Sequence, residues 1–382
     1  MSKLYCGRTL AGDVVEVAVE DGRIVSVTPA QVEDPPLLAP PLVDAQQNGA
    51  LGKAFNALHE DGETLARVAT QVRRHGVGRM FATYTTYPYD LHLKSLAAMD
   101  AQLSADADLA RLYAGVFFEG NYMSRETGWC GIHDAELMLD PTWDQWARLQ
   151  DAAGGRIRIF NVDPDRPGAL TTIAEAVKHG IRVAMGHCNP SAESIRRAAD
   201  AGCDLVTHFG NGAAPMVHRH RNPFWTWLAD QRLTLGIIAD GFHLPDDLIR
   251  TVFACRSGRP DKVLLVSDAS DHSGMPPGDY GDFVIDPDGR CHRKDADVLA
   301  GAWFQADRGV ETLCRLGWPL ADAWRRQSEV PAGIFGIDLP TIEVGRPAEF
   351  VLARWLGDGL RIEQVVAMGA ELLDAPLRPR DV

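Results

Sequence analysis

The sequence predicts an α/β fold: a (β/α)8 barrel of the TIM type carrying a small β-sandwich domain built from both chain termini. Three observations point there. From about Pro40 to Leu339, short apolar runs alternate with amphipathic stretches. Each run is continuously apolar rather than alternating, as a strand buried on both faces of a parallel sheet requires. The repetition extends over roughly 300 residues, which suits a closed barrel better than an open sheet. At 382 residues and 46% apolar, the chain is long enough to bury such a core.

The elements follow in order. In the first forty residues, VVEVAVEDGRIVSVTP alternates apolar and polar residues around a Glu-Asp-Gly turn, a hairpin pattern. The C-terminal stretch GRPAEFVLARWLGDGLRIEQVVAMGAELL has the same style. A few short strands cannot bury a face alone, so the two ends are expected to meet in one small β-domain, residues 1–40 plus 341–382. The barrel is expected over residues 41–340. Its strand-like runs include LYAGVFFEG, RIRIFNV, RVAMGH, DLVTHF, LTLGIIADG and KVLLVSDAS. Helical patterns such as GETLARVATQVRRHG and SAESIRRAADAG separate them, each stopping at glycine. No GxGxxG follows the first strand, so dinucleotide binding has no support.

Charge and composition narrow the function. Lys plus Arg number 38 against 52 Asp plus Glu, a net charge of -14. That balance opposes non-specific nucleic-acid binding and an anionic membrane surface as partner. No apolar run reaches the roughly 18 residues of a membrane span, and no secretory h-region opens the chain. Seven scattered cysteines without CxxC spacing fit a reducing cytoplasm.

The chemistry is expected where the apolar runs end. Glu119 follows YAGVFF, His187 follows RVAMG, His208 follows DLVT and Asp268 follows KVLLVS. In a barrel, the C-terminal strand ends converge on one mouth. One carboxylate and two imidazoles make a metal site with an open position for water, and Asp268 is then the general base on that water. Taken singly, a histidine there is a hydrogen-bonded strand end and an aspartate is a helix cap. The 21-residue separation of His187 and His208 is about one strand–helix repeat, which places them on adjacent strands.

Read together, DAQQNGALGKAFN, FFEGNY, AMGHCN, THFGNG, IIADGFH and LLVSDAS, with LAG at Leu299 to Gly301, resemble the ordered strand-end motifs of N-acetylglucosamine-6-phosphate deacetylases of the amidohydrolase superfamily. The resemblance spans nearly the whole chain. It implies hydrolysis of N-acetylglucosamine-6-phosphate to glucosamine-6-phosphate and acetate, with Glu119, His187 and His208 as metal ligands and Asp268 as acid/base. It implies that His243 contacts the sugar or its carbonyl oxygen, and that Asn211 and Gly212 touch substrate. His133 and Arg221 align with holders of the 6-phosphate, the arginine often coming from the partner of a homodimer. Where many amidohydrolases hold a second metal with an HxH pair, this chain has Gln46 and Asn48, so one divalent ion per subunit is expected. Zinc is the first choice, with iron or another first-row ion open. Gln46 is expected to hydrogen-bond where a second metal would otherwise lie.

Departures surround the sugar pocket: GNGAAP, the Asn after Glu-Gly in EGNY, and Trp129. They keep open a related amidohydrolase acting on another N-acyl or cyclic amide. A catalytically silent barrel serving as a binding subunit is the third reading. The aromatic group Phe224, Trp225 and Trp227 has three uses open to it: sugar stacking, a dimer contact or helix packing.

Overall fold

The computed structural model describes residues 2–373 and 375–380; positions 1, 374, 381 and 382 of the expected β-domain lie outside the described residues. Eight parallel strands form the barrel: β1 (Leu42–Gln47), β2 (Val77–Tyr84), β3 (Tyr113–Phe118), β4 (Ile157–Asn161), β5 (Arg182–Met185), β6 (Leu205–Val206), β7 (Thr234–Ile238) and β8 (Val263–Val266). They lie side by side in chain order. Side chains alternate between two apolar compartments, which is why the runs are apolar throughout. Ala45, Phe81, Phe117, Ile159, Ala184, Leu205, Ile238 and Leu264 fill the interior, about one per strand. Their neighbours Ala82, Phe118, Phe160, Met185, Val206, Ile237 and Leu265 face outward into the layer beneath the helices.

The barrel closes between β1 and β8 just beyond the regular strands. The Asp268 amide donates to the Gln46 carbonyl at 2.9 Å, and the Asn48 amide to the Ala269 carbonyl at 2.9 Å. Gln327, on the helix Leu320–Gln327, donates to carbonyls of both strands, Val43 at 2.9 Å and Leu265 at 3.3 Å. Asp44 is a third clip, accepting from the Ser267 amide at 3.0 Å and from the Ser267 hydroxyl.

Asp44 is 1% exposed, and burial, outweighing these hydrogen bonds, raises its carboxyl from 3.8 to about 6. Between those values the folded chain holds a proton that the unfolded chain has released, so this group's contribution to stability falls as pH rises from about 4 to 6. The loss is at most about 3 kcal/mol. Asp44→Asn keeps an acceptor oxygen for Ser267 without the charge. Its denaturant-derived stability should therefore decline less than the wild type's across that window, and equal pH slopes would refute the assignment.

Both termini build one seven-stranded sheet containing Lys3–Thr9, Val14–Glu20, Arg23–Pro29, Leu37–Ala39, Phe350–Trp355, Leu360–Ala367 and Ala370–Glu371. Residues from both ends share its core: Tyr5, Val17, Val19, Ile24 and Leu38 with Ala348, Phe350 and Val366. Antiparallel pairing of Leu38 with Leu352 joins the halves. The hairpin expected at Glu-Asp-Gly is present, with Asp21 and Gly22 both left-handed at φ 46° and 76°. That matches the two-residue turn whose twist suits an antiparallel pair.

One region departs from the strand–helix grammar. After β8, Gly278–Tyr280, Phe283–Ile285 and Cys291–Arg293 form a separate antiparallel sheet. Three-residue strands are too short for any periodicity to register; only the turn residues around Gly281 and Asp288-Gly289 signal them. No helix among the described residues is long and apolar enough to cross a membrane.

Candidate active site

The C-terminal ends of the strands open into a cavity of about 660 Å³. Glu119, His187, His208, His243 and Asp268, singled out from separate parts of the sequence, all line it. Glu119 continues the inward side of β3 set by Phe117. The histidines do not follow so simply. With Ala184 and Leu205 facing inward, strict alternation would put Gly186 and Thr207 on the inner face and turn both histidines outward. His187 and His208 instead adopt left-handed backbone, φ 52° and 27°, and Asp268 does likewise at 50°. Non-glycine residues rarely occupy that region, and its clustering at three cavity-facing positions marks strain held by the surrounding fold.

The donor atoms converge. His208 Nε2 lies 3.0 Å from Glu119 Oε1 and 3.0 Å from His187 Nε2, and His187 Nε2 lies 3.4 Å from Glu119 Oε1. Ligands about 2.0–2.1 Å from a tetrahedral first-row ion stand about 3.3 Å apart, so this triangle fits a divalent metal in both size and donor chemistry. His133 also falls within 4.8 Å of the Glu119 and His187 donors. Its ring meets that of His187 edge-on, centroids 4.5 Å apart. The shorter distances favour His208 as the third donor and leave His133 beside the triangle.

Two glycines and a carbonyl hold His187. A Cβ on Gly212 would lie 2.7 Å from His187 Nδ1, and one on Gly131 3.0 Å from its Cε1; both glycines have positive φ. His187 Nδ1 is 3.1 Å from the Trp129 carbonyl. A proton on Nδ1 donates there, leaving the Nε2 lone pair for the cavity. Gly212, expected to touch substrate, thus also backs the His187 imidazole.

Below the triangle lies a polar layer absent from the sequence reading. Asn161 donates to the Glu119 carbonyl at 3.4 Å and the Gly186 carbonyl at 3.3 Å, and accepts from the Thr207 hydroxyl at 2.8 Å. Gln46 bridges the carboxylates, its amide reaching Glu119 Oε1 at 3.4 Å and Asp268 Oδ1 at 3.0 Å. Asn48 adds a 2.8 Å bond to the same Asp268 oxygen. Neutral donors therefore occupy the HxH positions.

The electrostatics sort the groups. Burial acts to raise Glu119, but hydrogen bonds from His187 and His208 outweigh it and keep the carboxyl well below its usual range. Burial, then the Glu119 charge, raise Asp268. His133 falls to about 3 through burial and the neighbouring His187, and so is neutral.

The remaining expected residues divide. Asn211 lines the cavity with its amide nitrogen buried and unpartnered among the described residues. Arg221 does not line it; it lies in the exposed 216–221 segment beyond Pro215, which does. Among the described residues, no lysine or arginine lines the cavity, whereas Asp271 and Asp297 do. Of the aromatic group, Trp227 is buried and Phe224 packs on Trp129 at 6.1 Å, whereas Trp225 is 56% exposed. Asp240 was missed by the sequence reading. It lies 2.8 Å from His243 Nδ1, and its three-residue spacing within ADGFH was the available signal.

Known proteins resemble this chain over nearly its full length. It is 27% identical over 364 residues to N-acetylgalactosamine-6-phosphate deacetylase of Escherichia coli O157:H7, covering 93% of each chain. To N-acetylglucosamine-6-phosphate deacetylase of Vibrio furnissii it is 27% identical over 349 residues, 90% of this chain and 84% of that one. Among solved structures, N-acetyl-D-glucosamine-6-phosphate deacetylase of Mycobacterium smegmatis superposes with a TM-score of 0.79 at 27% identity, covering 94% and 96% of the two chains. An alanine variant of that enzyme, solved with N-acetyl-D-glucosamine-6-phosphate, gives 0.81 at 25% identity, covering 97% and 99%. No family model matches the chain.

Proposed function

We propose that this chain is a metal-dependent deacetylase of the amidohydrolase type. It would hydrolyse the acetamide of an N-acetylated amino-sugar 6-phosphate, N-acetylglucosamine-6-phosphate going to glucosamine-6-phosphate and acetate. The observation that carries the reading is the Glu119–His187–His208 triangle, 3.0–3.4 Å on a side, opening into the same cavity as Asp268 and His243. The activities named for its relatives support the substrate class.

Glu119, His187 and His208 would hold one divalent ion, zinc by preference, and iron or another first-row ion suits the same donors. Bound there, such an ion would supply Lewis acidity toward a carbonyl and lower the pKa of a water. Asp268 accepts the water proton and returns it to the departing amine nitrogen. Gln46 and Asn48 fix the Asp268 carboxylate through one oxygen and leave the other for proton transfer. His243 donates to the oxygen that becomes negative as the carbonyl is attacked. Asn211 offers its unpartnered amide to the sugar.

The phosphate requires cations or donors. Neutral His133, which lines the cavity, offers a donor, and we propose that Arg221 reaches the cavity from the partner in a homodimer. The exposed Met216, Val217 and Trp225 lie on the same stretch of chain. Seven unpaired cysteines support a reducing, cytoplasmic setting.

The test is acetate release by metal-loaded protein from N-acetylglucosamine-6-phosphate, its galacto epimer and unphosphorylated N-acetylglucosamine. The phosphorylated sugar should exceed the free one by about a hundredfold or more in kcat/KM. Comparable rates would favour a second reading, a related amidohydrolase on an uncharged N-acyl substrate. Among the described residues no lysine or arginine lines the cavity while the carboxylates Asp271 and Asp297 do, which speaks for that alternative. No acetate from any of them, with metal bound, would remove the deacetylase reading.

A further inference from the structure

We infer, building on the deacetylase reading, that Asp240 is a positioning residue for His243: it accepts a hydrogen bond from Nδ1–H, so that Nε2 alone serves the reacting carbonyl. Asp240 Oδ2 lies 2.8 Å from His243 Nδ1, with the two side chains 6% and 5% exposed. The other oxygen, Oδ1, accepts from the Phe242 and His243 amides, both at 2.9 Å. The carboxylate is thus pinned by its own loop before it meets the ring. The backbone of Asp240 is pinned from a different element. Arg308, at the start of the helix Asp307–Arg315, donates to the Asp240 carbonyl at 3.0 Å. Its guanidinium lies over the Phe304 ring at 4.6 Å and pairs with Glu311.

Burial opposes the Asp240 charge, but the His243 ring and the loop amides outweigh it and hold the carboxyl below its ordinary value. An ionised carboxylate accepts hydrogen bonds and donates none, so the proton between the two groups belongs to Nδ1. The consequence for Nε2 is specific. In the neutral ring it carries a lone pair and repels a developing oxyanion. In the imidazolium it carries a proton and donates. With Nδ1 committed to Asp240 at 2.8 Å, a donating Nε2 carries the second proton of the ring. Asp268 and His243 then have separate tasks: Asp268 exchanges a proton with water and amine, while His243 supplies a donor.

Nitrogen-15 spectra of the zinc-loaded protein labelled at histidine test this without turnover, with the His243 signals identified by their loss in His243→Gln. Nδ1 of His243 should be protonated throughout, and Asp240→Asn should let the neutral ring place its proton on either nitrogen. An unprotonated Nδ1 in the wild type would overturn the proposal. In kinetics, Asp240→Asn should lower kcat by about a hundredfold with little change in KM or bound metal, the scale of losing an oxyanion donor. In a His243→Gln background the same substitution should cost less than about threefold. Full additivity would show that Asp240 acts independently of His243 and would also overturn the proposal. If the wild type itself releases no acetate, the deacetylase reading fails, and the nitrogen spectra still decide the Asp240–His243 relation.

Discussion

Asp268→Asn should lower kcat on the acetylated sugar phosphate by about 10³–10⁴-fold while leaving bound metal and thermal stability close to wild type. The substitution isolates the proton transfer. Asn keeps an oxygen to accept from Gln46 and Asn48, which meet the present carboxylate at 3.0 and 2.8 Å. It also tolerates the left-handed backbone of this position, φ 50°, better than most residues. What it lacks is the capacity to take a proton from water. Steady-state kinetics beside metal analysis decide the matter. Turnover near wild type with metal in place would move the base elsewhere in the cavity. Lost metal together with lost turnover would show that Asp268 supports the ion rather than the proton.

The second large effect is expected at His187 and at the glycine behind it. His187→Ala removes one of three converging donors, and metal per chain after dialysis should fall to a small fraction of wild type. Gly212→Ala should produce a milder version of the same defect while all three donor side chains remain in the chain. Its Cβ would sit 2.7 Å from His187 Nδ1 at a residue with φ 58°. The ring has little room to yield, since Gly131 packs on it as well and the Trp129 carbonyl lies 3.1 Å from its Nδ1. Disturbing such a support typically costs about 10–100-fold in metal affinity. A competition titration with a chelator would measure it, with circular dichroism to show that the barrel persists. Wild-type affinity in Gly212→Ala would mean that the ring can move without cost and that the cradle is incidental.

Much of this was legible in the chain. The barrel was readable because a strand buried on both faces must be apolar at every position, and such runs recur between helices that stop at glycine. The convergence of Glu119, His187, His208 and Asp268 was readable from topology alone, since every parallel strand of a closed barrel delivers its C-terminal end to the same rim. The neutral character of Gln46 and Asn48, which donate to Asp268 in the structure, was readable as well.

Only the tertiary structure decided how those groups face one another. Alternation along β5 and β6 would have sent both histidines outward; left-handed backbone turns them in, and a single residue's φ leaves no periodic trace in sequence. Gln46 joins Glu119 and Asp268 across 73 and 222 residues, a contact set by how β1 meets β3 and β8 around the barrel. The cradle of Gly131 and Gly212 draws on two separate loops, and each glycine read alone is an ordinary turn residue. Arg221 shows the same principle in reverse. The resemblance aligns it with a phosphate holder without deciding which subunit it serves, and its side chain lies in the exposed 216–221 segment, which does not line the cavity of its own chain. Residue type and order determine which groups reach the mouth; backbone dihedrals and contacts between distant segments determine their orientation, because those depend on packing that no local stretch contains.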